Sequence, residues 1–119
     1  MAFKQLTDKR VAVFFAAGFE EVEAIAVVDL LFRAGIPCDM VSIAEDLQVA
    51  SSRDVTVVCD RSIFEDDFDF DAYDMLVLPG GIPGTPNLAA NKTVTETCKA
   101  FAAAGKKVAA ICAAPNVLA

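Results

Sequence analysis

Arg10-Val11-Ala12-Val13-Phe14-Phe15-Ala16, then Gly18, then Glu20-Glu21-Val22-Glu23-Ala24-Ile25 is the stretch that decides the fold. After Arg10 the run has no polar side chain, as a strand buried on both faces of a parallel sheet requires. Gly18 breaks it. From Glu20 to Ala34 the apolar residues Val22, Ile25, Ala26, Leu30 and Leu31 recur at helical spacing, until Gly35 and Pro37 end the pattern. A strand that turns through glycine into a helix opens a crossover unit, and the rest of the chain repeats the alternation. Cys38 to Ala44 reads as a second strand, and Gln48 to Ala50 with Val55 to Cys59 as a hairpin around Ser51-Ser52-Arg53-Asp54. Met75 to Leu78 is a third apolar strand ending in Pro79-Gly80-Gly81. Thr93 to Ala104 is a helix closed by Gly105, and Val108 to Ile111 is the next strand. The expected fold is α/β on a mainly parallel sheet, with residues 1–119 in one domain.

Outward from that core the sequence is less regular. Asp60 to Asp74 interleaves acids with Phe64, Phe68, Phe70 and Tyr73. It lacks the central Gly and closing Glu of a calcium loop, so it reads as a solvated connection tacked down by its aromatic residues. Pro115 opens a helix that has run for about one turn at Ala119. A doubly wound sheet normally continues further, so the chain reads as the N-terminal portion of its domain. The expected remedy for the open sheet edge is a complementary C-terminal segment or chain.

The 119 residues include 10 Lys plus Arg and 17 Asp plus Glu, a formal net charge of −7, and no histidine. With 55 % hydrophobic residues the chain is too apolar to be disordered. Its acidity argues against nucleic acid as a partner, because phosphate binding rests on Lys and Arg. No apolar run approaches the roughly 18 to 20 residues of a membrane span, and the first residues lack a signal peptide's apolar stretch. A cytoplasmic location is the expectation. Cys38, Cys59, Cys98 and Cys112 contain no Cys-x-x-Cys pair and have no histidine to join them. Free thiols are expected, with no metal site and no cofactor.

The chemistry concentrates where a strand gives way to a helix. Cys112 directly follows the last strand and precedes Pro115. A side chain on such a turn is held above the sheet, and helix N-terminal amides lower a nearby thiol's pKa. Cys112 is therefore the candidate nucleophile, against the alternative of a small buried hydrophobe. The parallel arrangement brings two more strand ends beside it, Gly18 to Glu23 and Pro79 to Gly81. Gly80-Gly81 amides would face a developing oxyanion, or would simply make a turn. Glu20, Glu21 and Glu23 complement the helix dipole, and one of them is placed to turn inward and exchange a proton with the sulfur.

Gly18-Phe19-Glu20-Glu21-Val22-Glu23-Ala24, Ser52-Arg53-Asp54, Val77-Leu78-Pro79-Gly80-Gly81 and Ala109-Ala110-Ile111-Cys112-Ala113-Ala114-Pro115, in this order and spacing, resemble the ThiJ/PfpI superfamily. Within it they are most similar to the branch of the parkinsonism-associated DJ-one and YajL-like proteins, over a span from about Lys9 to the end. The resemblance implies a flavodoxin-like (Rossmann-like) α/β/α sandwich and a homodimer. It implies a reactive cysteine at Cys112, a glutamate bonded to it at Glu23, and backbone donors at Gly81 and Ala113. It implies cofactor-independent glyoxalase or deglycase activity on methylglyoxal or its adducts, with oxidative-stress sensing and chaperone action as further family roles. Some members carry a thiamine-biosynthesis label. The peptidase-like branch has histidine immediately after the cysteine, whereas this chain has Ala113, which argues against a Cys-His peptidase. The branch's active-site histidine would fall beyond Ala119, and its additional peripheral cysteine falls on Ser51. Cys38, Cys59 and Cys98 are then structural.

Overall fold

The computed structural model describes residues 4–119. Its centre is β1 (Val11–Phe15), buried at every position. Two strands flank it in parallel, β2 (Cys38–Ser42) on one side and β6 (Met75–Leu78) on the other. Val13 stands against Met40 and against Val77. β5 (Arg61–Ser62) adds to β2 and β7 (Lys107–Ala110) to β6, both parallel, so the sheet order is β5-β2-β1-β6-β7. A separate antiparallel hairpin joins β3 (Gln48–Ala50) to β4 (Thr56–Val58).

The period of two along β1 divides the core. Ala12 and Phe14 face one side, where they pack with Leu76, Leu78, Leu88, Val94 and Phe101. Helices α2 (Gly84–Ala90), α3 (Lys92–Ala103) and α4 (Pro115–Leu118) supply that layer. Val11, Val13 and Phe15 face the other side and pack with Phe19, Ala24 and Val77. There α1 (Glu21–Arg33) covers the sheet, starting at Glu20, whose carboxylate accepts from the Val22 amide. It stops at Ala34, after which Gly35 takes a left-handed φ of +76°. The fold is the expected parallel α/β sandwich.

Three elements differ from the sequence reading. The strand ends are shorter, with β2 closing at Ser42 and β4 at Val58. The acidic connection contains the edge strand β5 and a 3-10 turn (Phe70–Ala72), and Tyr73 is fully buried while Phe64 stays exposed. Tyr73 donates to Asp39, which also accepts from Arg10, and Arg10 lies over the Tyr73 ring. Helix α2 has no signal of its own: it carries Gly84 and Pro86, and its Pro83 cap offers no side-chain acceptor. What holds α2 is packing, since Gly84 lies against Gly18 and Phe19.

Candidate active site

Three strand ends meet above the carboxyl edge of the sheet, where open α/β sheets bind ligands. The first is the turn from β1 into α1. Gly18 has a φ of +85°, and a Cβ there would fall 2.3 Å from Pro83, so only glycine admits the segment that follows β6. The Glu20 amide donates to the Gly80 carbonyl at 2.9 Å. One helical turn on, the Glu23 carboxylate Oε1 accepts from the Gly80 amide at 3.0 Å. The second strand end is thus gripped from both sides by the start of α1.

Gly80 is also where the third end arrives. A Cβ at Gly80 would lie 2.7 Å from Glu23 Oε1 and 2.9 Å from Cys112 Cβ. The carboxylate and the cysteine therefore converge on one point that a side chain would occupy. Cys112 itself has a φ of +60°, a left-handed conformation that costs a non-glycine residue of order 1 kcal/mol or more and persists only where the surroundings impose it. The Ile111 amide is tied to Leu78, and Ala114 donates back to Ile111. Cys112 lies between, exposed. This is the geometry of a nucleophile elbow.

Among the candidates named from the sequence, Cys112, Glu23 and the Gly80-Gly81 turn are brought together, but among the described residues no hydrogen bond joins Glu23 to Cys112, because the Glu23 carboxylate accepts from the Gly80 amide. Glu20 and Glu21 are not turned to the sulfur: both pair with Arg53, at 2.7 and 3.2 Å. Two expectations need correction. The Gly80 amide is engaged by Glu23 and is not a donor to a reacting oxygen. The amides of Gly81, Cys112 and Ala113 have no hydrogen-bond partner among the described residues, which leaves those of Gly81 and Ala113 as candidate donors. The cysteine also does not sit directly on a helix start, because a turn separates it from α4, whose first residue is Pro115 and brings no N–H. Any amides facing the sulfur are those of the turn itself. Arg53 is the site-side residue that sequence spacing did not single out for a role; its pairing across more than thirty positions shows only once the hairpin folds back onto α1.

The other three thiols are free and lie away from the surface, Cys59 and Cys98 buried and Cys38 half-buried. Burial, with Asp39 and Asp60 adding to it, pushes the Cys38 thiol up to about 12. Burial and Asp60 push Cys59 up to about 12 as well. Among the described residues no three Cys, Asp or Glu side chains are gathered as for a metal ion, and no helix is long and apolar enough to cross a membrane.

The sequence profile of the DJ-1/PfpI family matches residues 9–119. The chain belongs to the DJ-1/PfpI family. It is 37 % identical over 113 residues to the Parkinson disease protein 7 homolog of Danio rerio, covering 95 % of this chain and 59 % of that protein. It is 37 % identical over 98 residues to a protein of Schizosaccharomyces pombe named glutathione-independent glyoxalase DJ-1, covering 77 % and 51 %. The crystal structure of Drosophila melanogaster DJ-1beta superposes with a TM-score of 0.85 at 35 % identity, covering 94 % of this chain and 59 % of that one. The chain thus spans little more than half the length of these DJ-1 relatives.

Proposed function

We propose that this chain carries the reactive half of a glyoxalase-type stress-protection protein acting on methylglyoxal-like 2-oxoaldehydes or their adducts. The observation that carries the reading is the convergence of the Glu23 carboxylate and Cys112 on Gly80, with Cys112 held exposed at a left-handed elbow. The glyoxalase name borne by the fission yeast relative gives the reaction class. In the proposed reaction the Cys112 thiolate adds to the aldehyde carbon, forming a C–S bond and a hemithioacetal. Glu23 takes the proton from that carbon and returns one to the neighbouring carbon, so the aldehyde is oxidised and the ketone reduced within one molecule. Water then cleaves the resulting thioester, releasing a 2-hydroxy acid and the thiol. The Gly81 and Ala113 amides would hold the oxyanion, an interaction worth about 3 kcal/mol per donor in acyl transfer. No external oxidant, reductant or cofactor enters the balance.

Replacing Cys112 with serine tests this directly: Cys112→Ser is expected to lower 2-oxoaldehyde turnover by at least about a thousandfold with the urea midpoint unchanged. Retained turnover would sink the proposal. A second reading, a redox sensor in which peroxide carries Cys112 to the sulfinate, has its support in the exposure of that thiol and in the Toxoplasma gondii DJ-1 relative, 36 % identical, whose structure is of an oxidized form. A sensor consumes one oxidant per chain, whereas an enzyme turns over repeatedly. The homodimer belongs to the same proposal. Val22 and Leu30 on α1 are exposed and apolar, a surface suited to a second copy. So does the complementary C-terminal segment, which would pair with the outer edge of β7.

A further inference from the structure

We propose that Arg53 is a positioning residue for the Cys112 site: its guanidinium, carried by the β3–β4 hairpin, fixes the start of α1 and thereby holds Glu23 under Gly80. The inference rests on the reading of Cys112 and Glu23 as the reacting pair, and it adds a residue that touches neither.

The hairpin lies outside the main sheet, yet its turn, residues 50–53, is bonded to the start of α1 and the turn before it. The Gly18 amide donates to the Ala50 carbonyl and the Ser52 amide to the Phe19 carbonyl, each at 2.9 Å, and Phe19 bridges Ser51. The turn that presents Arg53 is itself rigid. Buried Ser51 accepts with its hydroxyl from the Arg53 and Val55 amides, at 3.3 and 3.0 Å, and Asp54 takes a left-handed φ of +62°. From this platform Arg53 Nη1 donates to Glu20 at 2.7 Å and to both oxygens of Glu21 at 3.2 and 3.3 Å.

A surface ion pair would ordinarily contribute little. Two facts separate this one from that class. The Glu20 and Glu21 side chains retain only 18 % and 17 % of their exposure, so two carboxylates largely removed from water share one cation. Those carboxylates also start the helix that carries Glu23, in a chain of net charge −7 where three glutamates fall within four residues. Without Arg53 the three like charges repel across the first turn of α1. The connection to the site is short: Glu20 donates its amide to the Gly80 carbonyl, and the Gly80 amide donates to Glu23. Displacing the first turn shifts both bonds at once, and Gly80 is the residue against which Cys112 rests. Every contact of Arg53 to the two carboxylates passes through the single nitrogen Nη1, so a lysine ammonium can replace it.

The test compares Arg53→Met and Arg53→Lys with the parent chain, reading amide hydrogen exchange at Gly80 and, as a reference for overall stability, at Phe14 in β1. Iodoacetamide labelling of Cys112 and methylglyoxal turnover are followed in parallel. Arg53→Met is expected to speed Gly80 exchange about tenfold, leave Phe14 unchanged and alter turnover by ten- to a hundredfold through kcat, the scale of a small misplacement. Arg53→Lys is expected to stay within about twofold of the parent on all readouts, because the ammonium restores the charge at the same place. Equal acceleration at Gly80 and Phe14 would make Arg53 a stabiliser of the whole fold and overturn the proposal. So would an unmoved Gly80, or a lysine variant that behaves like the methionine one. A parent chain that fails to turn over 2-oxoaldehydes removes the enzyme reading while leaving the Gly80 comparison decisive for Arg53.

Discussion

The two sides of the site are built in opposite ways. The β1–α1 turn, residues 18–23, is bonded to the hairpin, to the Gly80 carbonyl and amide, and to Arg53. The elbow, residues 111–114, has one bond to β6 through Ile111, one within itself and two from α4 to the Ala113 and Ala114 carbonyls, and its Cys112 and Ala113 amides are unpartnered among the described residues. Fixed amides and the Arg53-paired carboxylates on one side, and an exposed thiol with open donors on the other, would under the proposed function divide orientation from reaction, with Glu23 the one member of the first side that also exchanges a proton. A reacting group has to change its bonds during turnover, and a group that orients it does not.

Three experiments would break or sharpen this contrast. The largest effect is expected from Glu23→Gln, which keeps a side-chain oxygen for the Gly80 amide but cannot exchange a proton. Turnover should fall by about a hundred- to ten-thousandfold while Gly80 exchange stays protected. If activity survives, Glu23 belongs only to the orienting side. Gly80→Ala acts on both sides together, because the new methyl group meets Glu23 Oε1 and Cys112 Cβ at under 3 Å. A loss of kcat/KM of about a hundredfold and of roughly 1–3 kcal/mol in urea stability is expected. Near-parental values in both assays would mean that the elbow is free to move away.

The smallest effect concerns the thiols outside the site. At pH 8 iodoacetamide should label exposed Cys112 well before Cys38, Cys59 and Cys98. The folded state holds Cys38 and Cys59 near 12, above their ordinary value of 9.0, so it keeps protons that the unfolded chain releases. The stability this gives is complete below about pH 9 and declines between there and about pH 12. Urea midpoints that stay level from pH 8 to pH 11 would contradict it.

The central sheet was legible because Val11 to Ala16 and Met75 to Leu78 are continuous apolar runs, and burial on both faces leaves no other pattern. β5 was not, since two residues paired with Val41 and Ser42 carry no periodicity of their own. α2 is fixed by contacts at Gly18 and Phe19 that no local propensity reports. At the site, the position of Cys112 after a buried strand could be read from spacing. The choice of Glu23 from three glutamates could not: it came from the family resemblance, and in the structure that carboxylate accepts from the Gly80 amide. The pairing of Arg53 with Glu20 depends on a loop closed over more than thirty residues, beyond any window of periodicity.

The strand order has a consequence for how the molecule comes to be. β1 is bonded to β2, which follows it after one helix, but its other neighbour is β6, which arrives only after the hairpin and the acidic connection. Local contacts form early and distant ones late, because the entropy of closing the longer loop is lost before the contact rewards it. The orienting side of the site belongs to the early half of the chain, whereas the elbow is carried by β7, the last of the described strands in sequence order. On this order the position of Cys112 beside Gly80 is complete only once β7 has paired with β6.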